Sequence, residues 1–355
     1  MKGSSLRFLV ALSIGLAAIG TPARSEIRVD PTPVTGASAR GPLPVNFSLT
    51  YSTEKGLAAP IGVTAERDEP AELPAGVQGP TLAGQDTAPP HRWTDHVPRR
   101  ESRYPGFLSQ VGRIKWETLA GFAYFTAINS PKFFKKTTSL HFKDEGWFGK
   151  STDNLGVDKL THAYDSYILA EMLHARLHDK TGAARGDALT AALLAVGMMA
   201  YSELSDGIET DSGISMQDLT MNAAGATFSV LRNTIPGLRE KLDFRLLLIP
   251  NSNIYTRTGK RHYEQQRYLM ALQLSGFDRF RDTPLRLLEL HAGYYASGFT
   301  NQDRARGETP RRHLFFGVGL NIRELLFHSP RSTVGRVTGI GLDYLQIPYT
   351  AKHWD

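Results

Sequence analysis

Apolar residues change their spacing once along this chain, near Pro236, and this change limits the fold more than any other feature of the sequence. Between residues 107 and 236 they recur every three or four positions, which is the period of an amphipathic helix. After residue 236 they alternate with small or polar residues, which is the period of a strand. The sequence therefore predicts an α+β fold in which a helical part comes first and a sheet follows.

Four helices are predicted before Pro236. Pro131 is expected to end the first helix. Asp187 fits the N-cap of the third helix, and Gly207 fits the glycine that often follows the end of a helix. The predicted helices cover residues 109–131, 156–178, 187–207 and 215–236. Because the links between them are short, we expect an antiparallel helical bundle.

Four strands of about ten residues are predicted after Pro236. Their sequences are "RYLMALQLSGF", "LRLLELHAGYYASGF", "HLFFGVGLNI" and "RVTGIGLDYLQI". Long strands with one apolar face and one small or polar face are typical of outer-membrane barrels, but four strands cannot close one. We therefore favour a C-terminal antiparallel β meander packed on the helical bundle.

The N-terminal residues have a different composition. Residues 1–25 combine basic residues, an apolar run from Phe8 to Ile19 and a small-residue cleavage site, which indicates a signal peptide; an uncleaved anchor is the alternative. Residues 26–103 are rich in proline and glycine and are predicted to be a mostly disordered tail, although "LPVNFSLTY" is compatible with a short strand. The remaining predicted domains are the helical bundle at 104–236 and the antiparallel β region at 237–355.

Composition excludes several classes of function. The formal net charge is +6, and the signal segment carries three of those charges, so nucleic acid binding is not expected. The chain has no cysteine, which excludes a disulfide framework, a thiol nucleophile, thiolate-bound zinc and an acylated lipoprotein cysteine. We expect an exported protein of the periplasm or outer membrane, and the sequence does not predict an oligomeric state.

The second predicted helix carries polar residues that a core helix would not need. Asp158, His162 and Asp165 are spaced i, i+4 and i+7 and therefore share one face. Lys159 projects about 100° away from that face and is expected to point toward solvent or lipid headgroups.

Two other helices present polar groups of the same kind. Glu203 and Asp206 share a face in the last turn of the third helix, where the helix dipole disfavours acids, so they need a compensating cation. Ser215, Asp218 and Asn222 share a face of the fourth helix. Ser215 with Asp218 is also the pattern of a capping box, in which case Asp218 has only a structural role.

Histidine and carboxylates on facing helices suit two kinds of chemistry. They can bind a divalent metal ion, with His162, Glu203, Asp206 and Asp218 as candidate ligands. They can also perform acid–base catalysis, with His162, Asp158 and Glu203 as catalytic groups. Lys159, Ser215 and Asn222 are candidate ligand-binding residues. The alternative is a hydrogen-bonded network that only fixes the register of the helices.

Three stretches together resemble a family of exported proteins. They are "DKLTHAY" at 158–164, "ELSDG" at 203–207 and "GISMQDLTMNAAGA" at 213–226. As a set they resemble the YfiM-like predicted periplasmic lipoproteins (domain of unknown function 2279), with a fainter likeness to VanZ-like membrane proteins. The resemblance covers about residues 155–230. It implies a cell-envelope location and one shared polar site, and it implies no specific activity.

Two hypotheses about function follow. The first is a non-enzymatic envelope protein, associated with the outer membrane, whose polar site is structural or binds a small ligand or an ion. The second is a metal-dependent or acid–base hydrolase acting on a lipid or cell-wall substrate. Basic loops at 256–267 and 303–312 suit a partner with an anionic surface, such as membrane lipid or lipopolysaccharide.

Overall fold

The computed structural model describes residues 103–249, 261–327 and 333–355. The predicted signal peptide, most of the predicted tail and the "LPVNFSLTY" segment lie outside these residues. Within them, a helical bundle is followed by a mostly antiparallel, curled sheet of six strands, so the predicted α+β fold class is confirmed.

Four long helices form the bundle, and short helical segments at Phe107–Val111 and Gly112–Ile114 precede them. The long helices are α1 (Lys115–Phe133), α2 (Val157–Thr181), α3 (Asp187–Asp206) and α4 (Met216–Thr234). Pro131 does not end α1, as the sequence predicted, but lies inside its last turn. The N-cap of α3 is Gly186 rather than Asp187, which is the first helical residue.

The central helix of the bundle is α2, which packs against both α3 and α4. Ala170 and Leu177 of α2 are fully buried against Ala191, Ala195 and Met198 of α3. On its other side α2 meets α4 so closely that a Cβ on Gly225 would lie 1.8 Å from the carbonyl oxygen of Ala163. Only glycine fits at that crossing, and the close approach brings the polar side chains of the two helices together.

Helix α3 is long and apolar enough to cross a membrane by length and composition, the only such helix in the described part of the chain. In its most apolar window, 56% of the residues are buried inside the protein. This is weak evidence for a membrane span, because the core helix of a bundle has the same length and composition.

The sheet follows α4 in the order β5-β1-β2-β3-β4-β6. All neighbouring strands are antiparallel except β1 and β5, which are parallel. The strands are β1 (Leu242–Leu248), β2 (Gln266–Gln273), β3 (Leu288–Ser297), β4 (Arg311–Leu320), β5 (Leu345–Gln346) and β6 (Ala351–Trp354). Strands β1 and β6 were not predicted.

The fourth predicted strand was wrong over most of its length. Its first part is in helix α5 (Thr333–Gly341), and only Leu345–Gln346 pairs in the sheet. Short helical segments fill the remaining connections. They are Leu238–Lys241, Arg261–Glu264, Leu274–Gly276, Asp278–Arg281, Pro284–Leu287, Asn301–Ala305 and Ile322–Phe327.

The two faces of the sheet have opposite polarity over β3 and β4. Glu289 and His291 are buried on one face, whereas their neighbour Leu290 is 44% exposed on the other. Leu290 pairs with Val318, and Phe316 of the same face pairs with Trp354 of β6. Two charged or polar side chains of β3 are therefore inside, while several apolar side chains of β3, β4 and β6 are outside.

An aromatic cluster joins the bundle to the sheet. Tyr164 and Tyr167 of α2 contact Phe244 of β1, with ring centroids 5.5 and 5.9 Å apart. Tyr268 of β2 contacts Tyr164 at 5.7 Å. These large buried rings fix α2 against the sheet, and the polar groups on the remaining faces of α2 are positioned as a result.

Candidate functional site

Lys159 lies in the protein interior, although the sequence predicted that it points to solvent or headgroups. Its side chain is 1% exposed, and its Nζ lies 2.8 Å from Glu145, 3.1 Å from Asp158 and 2.8 Å from Asp218. Burial alone lowers its pKa, but these neighbours raise it above its ordinary value, Asp158 most of all. The prediction was wrong because Glu145 comes from the loop before α2, and helix spacing alone cannot locate that partner.

His162 lies one turn further along α2, between two carboxylates. Its Nδ1 is 3.6 Å from Oε1 of Glu203 on α3, and its Nε2 is 3.6 Å from Oδ1 of Asp218 on α4. Both distances exceed those of a hydrogen bond, and Nδ1 has no hydrogen-bond partner among the described residues. The imidazole is 25% exposed, whereas both carboxylates are buried. The histidine is therefore the accessible member of the group.

Glu203 is the most strongly perturbed acid of the group. Burial raises the pKa of its carboxyl to about 7, with further increases from Asp218 and Asp206. His162 and a hydrogen bond from the backbone of Ser215 oppose that increase. Among the described residues, no lysine or arginine pairs with Glu203 as Lys159 does with Asp218, so the raised pKa of this carboxyl lies near neutral pH.

Two of the predicted residues lie away from His162. Asp206 forms an ion pair with Lys132 of α1, so it already has the compensating cation that its position at the end of α3 requires. Asp165 is exposed on the surface of α2. The structure thus brings His162 together with Glu203 and Asp218, while Asp158 contacts Lys159 in the neighbouring group.

The start of α4 contributes a cap and two buried polar groups. The Oγ of Ser215 accepts a hydrogen bond from the backbone N–H of Asp218 at 3.2 Å, which is the N-cap contact that the sequence predicted as an alternative. Asp218 nevertheless also contacts Lys159 and His162 through its carboxylate. Asn222, one turn later, is fully buried, and neither atom of its amide has a hydrogen-bond partner in the described residues.

The charges of this site do not balance. Three carboxyl groups, those of Glu145, Asp158 and Asp218, surround Lys159, and a fourth, that of Glu203, faces His162. The ammonium of Lys159 occupies the space among three of them. The other group, formed by His162, Glu203 and Asp218, has one ligand atom from each residue within 4.8 Å of the others, and it contains no basic side chain besides the histidine. This arrangement attracts a cation and also permits proton transfer between a carboxyl and an imidazole.

A second buried polar network was not predicted. It lies between the bundle and the sheet and joins Glu171 of α2, Arg232 of α4 and Asp243 of β1. Arg245 of β1 then connects Asp243 to Glu289 of β3. The two charges in the otherwise apolar segment "LDFRLLL" could have indicated a buried ion pair. Nothing in the sequence indicated which residues those charges pair with.

Comparison with known families agrees with the predicted resemblance. Residues 144–234 match the family model DUF2279, described as a predicted periplasmic lipoprotein. The matched span contains Glu145 and every other member of the site, and it contains none of the sheet. The family description agrees with the predicted periplasmic location, although the chain lacks the cysteine that a lipoprotein requires. The fainter VanZ likeness stays a prediction. No curated protein and no solved structure was found to match.

Proposed function

We propose that this is an exported cell-envelope protein whose helical bundle binds a divalent cation through His162, Glu203 and Asp218. One observation carries the proposal: the partly exposed imidazole and the two buried carboxylates each offer a ligand atom, and these atoms lie within 4.8 Å of one another. Glu203 has a raised pKa and therefore keeps its proton near neutral pH. A bound cation would supply the positive charge missing beside Glu203 and would displace that proton.

The ligand types narrow the choice of ion. One imidazole nitrogen with two carboxylate oxygens suits Mn²⁺ or Zn²⁺ better than Ca²⁺, which prefers oxygen ligands alone. Lys159 already neutralises part of the charge of Asp218, at 2.8 Å. We therefore expect His162 and Glu203 to contribute most of the affinity.

Isothermal titration with Mn²⁺ tests this proposal on the purified chain after treatment with a chelator. Saturable binding is expected for the wild type and for Asp165→Asn, which changes an exposed acid on the same helix. Binding should be lost in His162→Ala and in Glu203→Gln. Equal binding in all four proteins, or none in the wild type, would contradict the proposal.

Acid–base hydrolysis is a second candidate function, favoured by the pKa of Glu203. A carboxyl that ionises near neutral pH can donate a proton, and the accessible His162 can accept one from water. The substrate class is a lipid or a cell-wall polymer. Mass spectrometry of isolated envelope material incubated with the protein tests it: new hydrolysis products should appear with the wild type and Asp165→Asn but not with Glu203→Gln. If no product forms in the presence or absence of Mn²⁺, this candidate fails while cation binding still stands.

The outer face of the sheet supports association with a membrane. On β4, Leu314 and Phe316 are 69% and 65% exposed, and Leu290 and Trp354 continue this apolar face on the adjacent strands. Such a face is unusual on a protein surrounded by water, because Glu289 and His291 of the adjacent strand β3 are buried while these apolar side chains are exposed. The basic loop at 303–312 leads directly into β4, so its charges flank the apolar face. The occupant that fits both properties is an anionic lipid surface.

Co-sedimentation with vesicles tests the membrane proposal. We expect more binding to phosphatidylglycerol-containing vesicles than to phosphatidylcholine alone, and less after Leu314→Ser with Phe316→Ser. The matched control is Leu189→Ser with Leu193→Ser, which changes two exposed leucines of α3. Loss of binding in the control but not in the β4 variant would place the lipid contact on the bundle instead. Self-association of the wild type through the β4 face would contradict the proposal in favour of a second copy of the chain.

A further inference from the structure

A third group of polar side chains lies between α2 and α3, apart from both clusters described above. His174 and His178 are spaced i and i+4 on the buried face of α2, and Asp187 is the first residue of α3. All three are at most 5% exposed. The His174 Nε2 atom lies 3.3 Å from Oδ1 of Asp187, and the His178 Nδ1 atom lies 2.5 Å from Oδ2.

This group is surrounded by the apolar core of the bundle. Leu173 and Leu177 of α2 and Ala191 of α3 are all buried beside it. Two imidazoles and a carboxylate are costly to bury in such a place unless they are paired or bind a metal. Here a single carboxylate, that of Asp187, faces both imidazoles.

We infer that His174, His178 and Asp187 form a buried, three-ligand Zn²⁺ site that joins α2 to α3. One ligand atom of each residue lies within 4.8 Å of the others. Two ligands bound at about 2.1 Å to a tetrahedral ion lie roughly 3.4 Å apart, which agrees with the separation of His174 and Asp187. The shorter His178–Asp187 contact is a hydrogen bond, and the ion would replace its proton.

The expected ion follows from the ligand set. Two imidazole nitrogens with one carboxylate oxygen favour Zn²⁺ or Co²⁺ over harder cations, and three protein ligands leave the fourth position to water. The turn between the ligands is short and defined, because Gly182 and Gly186 both have left-handed backbone conformations. Asp187 is thereby held next to the last turn of α2 before any ion binds.

This site is independent of the cation site proposed above. His174 is twelve residues after His162 on the same helix, a separation of about 18 Å along its axis. No ligand is shared between the two groups. The two proposals can therefore fail separately.

Cobalt spectroscopy on the full chain tests the inference. After chelator treatment, titration with Co²⁺ should produce the intense visible absorption of a tetrahedral site, and Zn²⁺ should abolish this absorption by displacing the ion. The absorption should be lost in His178→Gln and in Asp187→Asn. It should remain in His162→Ala, which removes a ligand of the other site only.

The thermal stability of the wild type gives a readout that needs no variant. We expect Zn²⁺ to raise its Tm after chelation; as an added check, part of this increase should persist in His162→Ala, which keeps all three ligands of this site. A wild type without tetrahedral Co²⁺ absorption and without a Zn²⁺-dependent Tm would overturn the inference and leave a hydrogen-bonded triad. Absorption that disappears in His162→Ala but persists in His178→Gln would overturn it as well.

Discussion

Two buried clusters on α2 contain similar residues but differ in their balance of charge. The first is the polar network between the bundle and the sheet (the interface network). Its carboxylates pair with arginines: Glu171, Asp243 and Glu289 with Arg232, Arg239 and Arg245. In the site around His162 (the His162 site), Lys159 pairs with Glu145, Asp158 and Asp218, whereas Glu203 has no lysine or arginine partner among the described residues. The first cluster is complete within the protein, whereas the second lacks positive charge.

The pKa values of the two buried glutamates show the consequence. Burial alone raises the pKa of Glu171, but Arg239 and Arg232 bring it down to about 2. Burial raises the pKa of Glu203 to about 7, and no arginine among the described residues lowers it. A carboxylate with its own cations supports the fold, while one that lacks a cation is available to a ligand or a proton.

Hydrogen bonding differs in the same way. Both oxygens of Glu171 accept hydrogen bonds, from Ser229 and Asn233 on one side and from arginines and Tyr344 on the other. In the His162 site, Nδ1 of His162 and the whole amide of Asn222 have no partner in the described part of the chain. Unsatisfied buried groups are rare in native proteins and often mark a missing ion or ligand.

The largest expected effect on stability comes from removing the guanidinium of Arg232, the central cation of the interface network. Arg232→Met leaves Glu171 and Asp243 buried without that charge, so we expect the free energy of unfolding to fall by about 3–5 kcal/mol. Urea denaturation measures this. The control Arg176→Met, which breaks a partly exposed pair with Glu117, should cost at most about 1 kcal/mol. Equal losses of stability in the two variants would show that the interface network contributes no more to the fold than a partly exposed ion pair does.

A smaller expected effect is a pH dependence of the free energy of unfolding that is caused by Glu203. Its folded pKa of about 7 exceeds the ordinary value of 4.5, so between these values the folded state holds a proton that the unfolded state has released. The free energy of unfolding of the wild type should therefore fall by about 3 kcal/mol, relative to Glu203→Gln, as pH rises from 4.5 to 7. Urea denaturation with a chelator present measures it.

The matched control for this pH dependence is Glu117→Gln. The pKa of Glu117 is lowered in the folded state, where Arg176 donates a hydrogen bond to it. Its contribution to stability is therefore present at neutral pH and is lost as pH falls, which is the opposite direction. A wild type and a Glu203→Gln variant with parallel pH profiles would show that Glu203 is not perturbed.

The smallest expected effect compares two asparagines of α4. Asn222→Leu removes an amide without partners, so the free energy of unfolding should change by less than about 1 kcal/mol in either direction. Asn233→Leu removes an amide that contacts Glu171 and Arg239 and should cost about 1–3 kcal/mol. A larger loss in Asn222→Leu than in Asn233→Leu would mean that the His162 site, too, is a structural network.

The sequence predicted those parts of the fold that depend on local spacing. The face of α2 that carries Asp158 and His162, the N-cap contact of Ser215 and the alternation of β4 all follow from residues near one another in the chain. The helix at Thr333–Gly341 was mistaken for a strand because its apolar residues also alternate with glycine and polar residues.

Long-range partners were beyond what spacing can predict. The interior position of Lys159 depends on Glu145 from a preceding loop, and Asp206 pairs with Lys132 from α1. Strand β1, which carries Asp243 and Arg245, was not predicted. Both residues are buried, and their partners come from α4 and β3.

Proton release on Mn²⁺ binding tests most directly whether the His162 site lacks a cation. Calorimetry at about pH 6, in buffers of different ionisation enthalpy, counts the protons released for each ion bound. Because Glu203 is mostly protonated there, the wild type should release about one proton for each Mn²⁺ bound, and Glu203→Gln should show no saturable binding. Mn²⁺ binding without proton release, or equal binding by Glu203→Gln, would contradict a cation site at His162, Glu203 and Asp218.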